Sequence, residues 1–192
     1  MSQFSFQREL LRKSLHLIVI IFPLLLLEFG KVVCLPYFLI ISLLFIALDI
    51  SRLKFAQVEE LYNKFFAIVT KDYEQSKLTS ASYVFIALLI TTFLFNESIA
   101  AAGLIIMILA DPMASLFGRV FGNFKLVGNK TIEGSIAFFI AASIVLLSLG
   151  FSAYHVIVVA LGSSCIELFS QKIKVDDNLL IPLLSSSLLF IL

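Results

Sequence analysis

The sequence predicts an all-α, polytopic membrane protein with about seven transmembrane helices, a cytoplasmic N-terminus and one amphipathic interfacial helix. Three observations predict it. The 192 residues are 60% hydrophobic and 14% charged, where ordinary soluble domains run at about 45–50% and about 25%. The apolar residues gather in long runs, giving a mean hydropathy of +1.07. The basic residues then fall almost entirely on one side of those runs. This composition excludes a soluble globular enzyme, a disordered chain and a nucleic-acid-binding domain. A net charge of +1 adds no strong field for polyanions. No repeat, low-complexity stretch or linker divides the chain, so residues 1–192 are read as one domain.

The candidate spans are 14–30, 32–50, 79–96, 97–118, 131–150, 154–171 and 179–192. Each is near the length of about 20 residues that crosses a bilayer. The last is short and is expected to tilt or to stop within the membrane. The first is not expected to be a cleaved leader, because Glu28-Phe29-Gly30-Lys31 follows it in place of a small-residue cleavage site. With the N-terminus inside, Arg8, Arg12 and Lys13, then Arg52, Lys54, Lys64, Lys71 and Lys77, then Arg119, Lys125 and Lys130, then Lys172 and Lys174 are all cytoplasmic. Of the 14 Lys and Arg residues, only Lys31 lies outside. An error of one span would scramble that partition. The membrane expected is a bacterial cytoplasmic membrane, or an organellar or endoplasmic reticulum membrane in a eukaryote.

Segment 51–78 is too polar to cross. Phe55, Val58, Tyr62, Phe65, Phe66 and Val69 recur at helical spacing with Glu59, Glu60, Lys64 and Lys71 between them. Two readings fit: an amphipathic helix on the cytoplasmic interface, or a cytoplasmic hairpin. Cys34 and Cys165 lie far apart in apolar runs and are expected to pack as small hydrophobes.

Ionisable groups at membrane depth are costly and mark candidate sites. Asp49, Asp111, Glu133, Glu167 and the run Asp176-Asp177-Asn178 all fall at the cytoplasmic ends of spans, whereas Glu28 and Glu97 fall at the other side. Carboxylates and cations together suit a phosphate-and-metal site. The plainer reading is a row of helix-end charges snorkelling to the interface, and Asp49 could simply pair with Arg52.

The fourth span carries the most chemistry. Asp111-Pro112 predicts a break: the residue before proline avoids the α region, Asp caps helices well and Pro suits the first helical position. One helix is therefore expected to end near Ala110 and another to begin at Pro112. Ser115, Gly118 and Gly122 follow Asp111 at steps of 4, 3 and 4 and form a small, polar face. A ligand could approach it, or a second helix could pack through the Gly118–Gly122 pair. Next comes a glycine-containing basic loop, with Lys125, Gly128, Lys130, Thr131, Glu133 and Gly134 leading into a helix start. Free N–H groups and the helix dipole there favour an anion. Lys130 and Thr131 would hold phosphate oxygens, and Glu133 would reach a metal or orient Lys130. The alternative is an ordinary positive-inside loop. Arg12, Lys13 and His16 share one end of the first span, as a triphosphate site or as a topology signal with an interfacial histidine. His155 lies at the opposite face, away from any chemistry.

In combination these residues resemble the CTP-dependent lipid kinases: dolichol kinase, the yeast-type diacylglycerol kinase and phytol kinase. The likeness runs through Arg12, Lys13 and His16; through Asp111, Ala114, Ser115, Gly118 and Gly122; through Lys130, Thr131, Glu133 and Gly134; and through Glu167 followed by Asp177, Asn178 and Pro182. Asp49 with Arg52 and the stretch Leu78–Tyr83 are also similar, with Ser80 where that family often has Gly. The motifs occur in order over nearly the whole chain.

The resemblance implies transfer of the γ-phosphoryl group of CTP to the hydroxyl of a membrane lipid, diacylglycerol or a polyprenol. It implies Mg²⁺ on Asp111 with Glu167 or Asp177. Arg12, Lys13, Lys125 and Lys130 would neutralise the triphosphate, with His16, Ser115, Thr131, Glu133, Gly134 and Asn178 also in the nucleotide site. Gly118 and Gly122 would admit nucleotide or lipid, and Asp111 or Asp177 would accept the hydroxyl proton. A phosphatidate cytidylyltransferase is the nearest rival, but that family usually has Ser-Pro-Lys before its Lys-Thr, where this chain has Val127-Gly128-Asn129. A small transporter or membrane assembly factor is the non-enzymatic rival.

Overall fold

The computed structural model describes residues 6–70, 72–173 and 175–192. Lys71 and Lys174 of the charge partition lie outside the described residues. The described residues are all-α apart from one small hairpin. In order come α1 (Phe6–Ile18), α2 (Ile21–Lys54), α3 (Ala56–Phe66), a short 3-10 turn (Asp72–Ser76), α4 (Ser80–Leu94), α5 (Glu97–Val120), β1 (Lys125–Val127), β2 (Lys130–Thr131), α6 (Ile132–Ser148), α7 (Ala153–Ile173) and α8 (Asp177–Ile191).

Among the described residues three stretches are long and apolar enough to cross a membrane: Phe6–Lys54, Glu97–Val120 and Ala153–Ser170. The apolar helices α4, α6 and α8 are shorter, at 15, 17 and 15 residues. At about 1.5 Å rise per residue, 15 residues reach about 22 Å, short of a hydrocarbon core of about 30 Å. Large apolar side chains cover the outside, among them Val32, Tyr37, Phe190 and Ile191. A water-soluble surface would not carry that coat.

The boundary between the first two predicted spans falls at Gly30 as expected, but the first span carries a further interruption. Helix begins at Phe6 and is interrupted at Val19–Ile20, where Val19 N–H donates to His16 O (3.1 Å) and Ile20 N–H to Leu17 O (3.1 Å). These i to i−3 bonds tighten and turn the chain. Within α2, Gly30 leaves the helix at φ 76°, ψ 165°, a region open to glycine because it lacks a Cβ. There the chain doubles back. Phe22 and Phe38 would stand about 24 Å apart on a straight helix, yet their rings lie 5.7 Å apart, edge to face. Outside this turn, Lys31 Nζ donates to Phe93 O (2.5 Å) and Phe95 O (3.2 Å), and Lys31 N–H donates to Glu97 Oε1 (3.0 Å).

Helix α5 is the axis of the fold. Ala100 to Ile108, Ala110, Asp111, Pro112 and Ala114 are buried on it, against α2, α4, α6, α8 and α1. Small residues allow the approach: a Cβ on Gly103 would lie 2.2 Å from Ser186 Oγ and 2.6 Å from Pro182 O of α8. The expected break at Ala110–Pro112 does not occur, and α5 is continuous through Pro112. Packing on all sides outweighs one lost helical bond, and the Asp111 carboxylate is paired elsewhere instead of capping a new helix.

Segment 51–78 folds as α3 followed by the 3-10 turn. Leu61, Phe65 and Ile68 are exposed, while Tyr62 lies under the Arg52 guanidinium at 4.9 Å. The basic loop is a two-stranded antiparallel hairpin turning at Gly128, φ 57°. Cys34 is buried and its thiol donates to Leu25 O (3.4 Å). Cys165 is exposed, on a face of α7 that also carries Leu161 and Phe169.

Candidate functional site

A cavity of about 600 Å³ collects chemistry from almost every part of the chain. Helix α1 supplies Glu9, Arg12 and Lys13, and α5 supplies Asp111, Ala114, Ser115, Gly118 and Arg119. The hairpin and the start of α6 supply Asn129, Lys130, Thr131, Gly134 and Ser135. Helix α7 adds Glu167 and Ser170, and the chain entering α8 adds Val175, Asp176 and Asp177. Lys77, Leu78 and Tyr83 close the remaining side.

Local structure explains the placement. On α5, Asp111, Ser115 and Arg119 recur at four-residue steps and so share one face. Thr131 caps α6 by accepting from Gly134 N–H (3.1 Å), which holds Lys130 at the cavity edge. The glycines are packing residues. A Cβ on Gly134 would lie 2.8 Å from Ala114 O, one on Gly118 3.0 Å from Thr131 Oγ1, and one on Gly122 2.7 Å from Thr131 Cγ2. The Gly118–Gly122 face is therefore taken by the start of α6, although Gly118 also borders the cavity. Gly122 does not.

Cations and carboxylates in the cavity are matched. Lys13 is ion-paired with Asp111, both buried. Lys130 is ion-paired with Glu167 and lies 3.5 Å from Asp177 Oδ2. Arg12 donates to Glu9 Oε1 (2.8 Å), as does Ser115 Oγ (3.1 Å), and Arg119 stands 3.8 Å from Glu9 Oε2. Burial works against the charge of Lys130, but Asp177, Glu167 and Asp111 outweigh it and hold the ammonium above the ordinary lysine range.

Of the residues expected in the site, Arg12, Lys13, Asp111, Ser115, Gly118, Lys130, Thr131, Gly134, Glu167 and Asp177 line this one space. His16, Gly122, Lys125, Glu133 and Asn178 do not. Lys125 is exposed on β1. Glu133 accepts from Asn123 N–H (3.0 Å) and so fastens the hairpin base, in place of the metal or Lys130. Asn178 donates from Nδ2 to Asp176 Oδ1 (2.7 Å) and steadies the start of α8. His155 bonds Ser152 through Nδ1 (2.6 Å), away from the cavity.

Asp49 belongs to a separate buried network. It accepts from Arg52 Nε (3.1 Å), Thr79 N–H (2.7 Å), Thr79 Oγ1 (2.8 Å) and Ser82 Oγ (2.6 Å). Arg52 donates onward to the carbonyls of Glu74 (3.1 Å) and Lys77 (2.8 Å). This network ties α2 to α4.

Glu9, Lys77 and Arg119 line the cavity without having been expected there. For two of them the signal was helical phase: Glu9 stands four before Lys13, and Arg119 stands eight after Asp111.

Asp111 with Glu167 or Asp177 was expected to hold Mg²⁺, and all three line the cavity. Among the described residues no three His, Cys, Asp or Glu side chains come together to hold a metal. Asp111 is engaged by Lys13. Glu167 and Asp177 share Lys130, and Glu167 Oε2 is buried without a hydrogen-bond partner. That pair fits a Mg²⁺ ion that draws its other ligands from substrate phosphates and water.

No family model and no solved structure matches the chain. An uncharacterized protein of Rickettsia prowazekii is 28% identical over 189 residues, spanning 94% of this chain and 91% of its own. An uncharacterized protein of Methanocaldococcus jannaschii is 32% identical over 180 residues, spanning 91% of this chain and 89% of its own. This chain belongs to the family of the Methanocaldococcus protein. CTP-dependent diacylglycerol kinase 1 of Schizosaccharomyces pombe is 27% identical over 213 residues, spanning 100% of this chain and 96% of its own. This chain is thus distantly similar, over nearly its full length, to a lipid kinase.

Proposed function

We propose that this protein transfers the γ-phosphoryl group of CTP to the hydroxyl of a membrane lipid, diacylglycerol or a polyprenol, at the cytoplasmic face. The observation that carries the reading is the one cavity in which Arg12, Lys13 and Lys130 meet Asp111, Glu167 and Asp177 beside apolar helices. The whole-chain similarity to the fission yeast kinase supports it. On this reading the chain crosses the membrane about seven times with its N-terminus inside.

Phosphoryl transfer asks a protein for positioning and charge neutralisation. Arg12, Lys13 and Lys130 hold the phosphates, with Arg119 and Lys77 at the cavity edge. Thr131 and Gly134 fix Lys130 by capping α6. Asp111 or Asp177 accepts the proton of the lipid hydroxyl. Mg²⁺ held by Glu167 and Asp177 would neutralise charge developing on the β and γ oxygens. The acceptor reaches the cavity from the bilayer, so its tail stays in an apolar medium while its hydroxyl meets the charged end.

The test supplies purified protein with Mg²⁺, a panel of lipid alcohols and phosphatidate, and CTP labelled at the α or γ position. Label from γ-CTP appearing in a lipid is expected, and the labelled lipid names the acceptor. Label from α-CTP in lipid would instead make the protein a cytidylyltransferase. No transfer by folded protein, with CTP or with ATP, would overturn the kinase reading.

A further inference from the structure

We propose, resting on that phosphoryl-transfer reading, that the Lys130 ammonium occupies the place of a divalent cation between Glu167 and Asp177 while no nucleotide is bound, and passes to a phosphate when a metal nucleotide enters. Lys130 Nζ touches Glu167 Oε1 and lies 3.5 Å from Asp177 Oδ2. Both carboxylates come from outside the hairpin that carries Lys130, one from α7 and one from the first turn of α8. Glu167 is 2% exposed, and its Oε2 has lone pairs but no hydrogen-bond partner. A carboxylate this deep with an unused oxygen has capacity for a further cationic ligand. Lysine suits the exchange because its charge is compact and rides on a flexible stem.

The exchange explains how a cavity with matched charges can accept a polyanion. A bare metal ion would have to evict the ammonium and leave it buried without a counter-ion, which is costly. A metal nucleotide brings phosphate oxygens for the lysine and the metal for the carboxylates together, so no charge is left unpaired. Metal and nucleotide therefore enter as one unit, and the metal alone binds weakly.

The experiment titrates Mn²⁺ into the full-length protein in detergent, without nucleotide or lipid, and reads free Mn²⁺ by electron paramagnetic resonance. Wild type is expected to show no tight site. Lys130→Met removes the ammonium and leaves two adjacent carboxylates, so one Mn²⁺ per chain should bind at least tenfold more tightly and raise Tm. Adding Glu167→Gln should erase that gain. A tight site in wild type alone would overturn the proposal, as would no gain in Lys130→Met or a gain that survives Glu167→Gln. Should Lys130→Met not fold, Lys130→Gln serves the same comparison, and the wild-type titration still decides. Because no phosphoryl transfer is measured, a negative result leaves the kinase reading intact, and an absence of transferred label leaves the Mn²⁺ result intact.

Discussion

Lys13 and Asp111, 98 residues apart, form a buried ion pair that holds the first helix against the central one. Beside it, Glu9 meets Ser115 and Arg119. The order on α1 rises as the order on α5 falls, so the two helices run antiparallel. Glu9 and Lys13 are the buried residues of α1, while Leu10, Leu11, Leu15 and Ile18 face outward. In water this helix would be inside out. In lipid the outward leucines cost nothing, and the charged face is the one that must be covered.

The Lys13–Asp111 pair is expected to be both structural and functional, and the two roles separate by mutation. Lys13→Met or Asp111→Asn leaves one buried partner uncompensated, a loss of about 3–5 kcal/mol. Replacing both by apolar residues of similar volume should recover most of the Tm. Phosphoryl transfer should fall by at least about 100-fold in all three variants, since transition-state charge loses its partners. A single variant that melts with the wild type would show that the pair does not hold α1.

Gly134→Ala should separate α5 from α6. Its Cβ would meet Ala114 O at 2.8 Å and Thr131 Oγ1 at 3.2 Å, and a backbone oxygen cannot move aside as a flexible side chain can. Overpacking of this kind costs about 1–3 kcal/mol. A lower Tm is expected together with reduced transfer, because Lys130 is placed through the same cap. An unchanged Tm would show that the crossing tolerates a methyl group.

Asp49 is expected to matter for stability alone. Asp49→Ala would strand Arg52 and three hydrogen-bond donors from α4 and its cap, at about 3–5 kcal/mol. The protein that remains folded should keep its KM for nucleotide, because neither Asp49 nor Arg52 borders the cavity. A raised KM with normal Tm would instead place Asp49 in the site.

Much of the site was legible in the chain because its residues sit at helix ends in a recognisable order. Lys13, Asp111, Lys130, Glu167 and Asp177 could be singled out, since charge at membrane depth is rare and costly. The break at Gly30 was legible too, between an apolar run and Lys31. Pro112 misled, because a local preference for ending a helix lost to burial around α5. Glu133 and Gly122 lie outside the cavity, one at the hairpin base and one against Thr131. Residues that close a hairpin or a helix crossing have the same small or polar character as residues that bind phosphate.

By itself the sequence determined an all-α, strongly apolar protein with its ionisable groups concentrated at helix ends. Those are properties of composition and period, which no tertiary contact can change. Only the tertiary structure decided which charges meet. The pairing of Lys13 with Asp111, the sharing of Lys130 by Glu167 and Asp177, and the separate network of Asp49 each depend on helices far apart in sequence. Charge sign says that such groups need partners. Distance alone chooses the partner, and distance is set when small residues on α5 let α6 and α8 close against it.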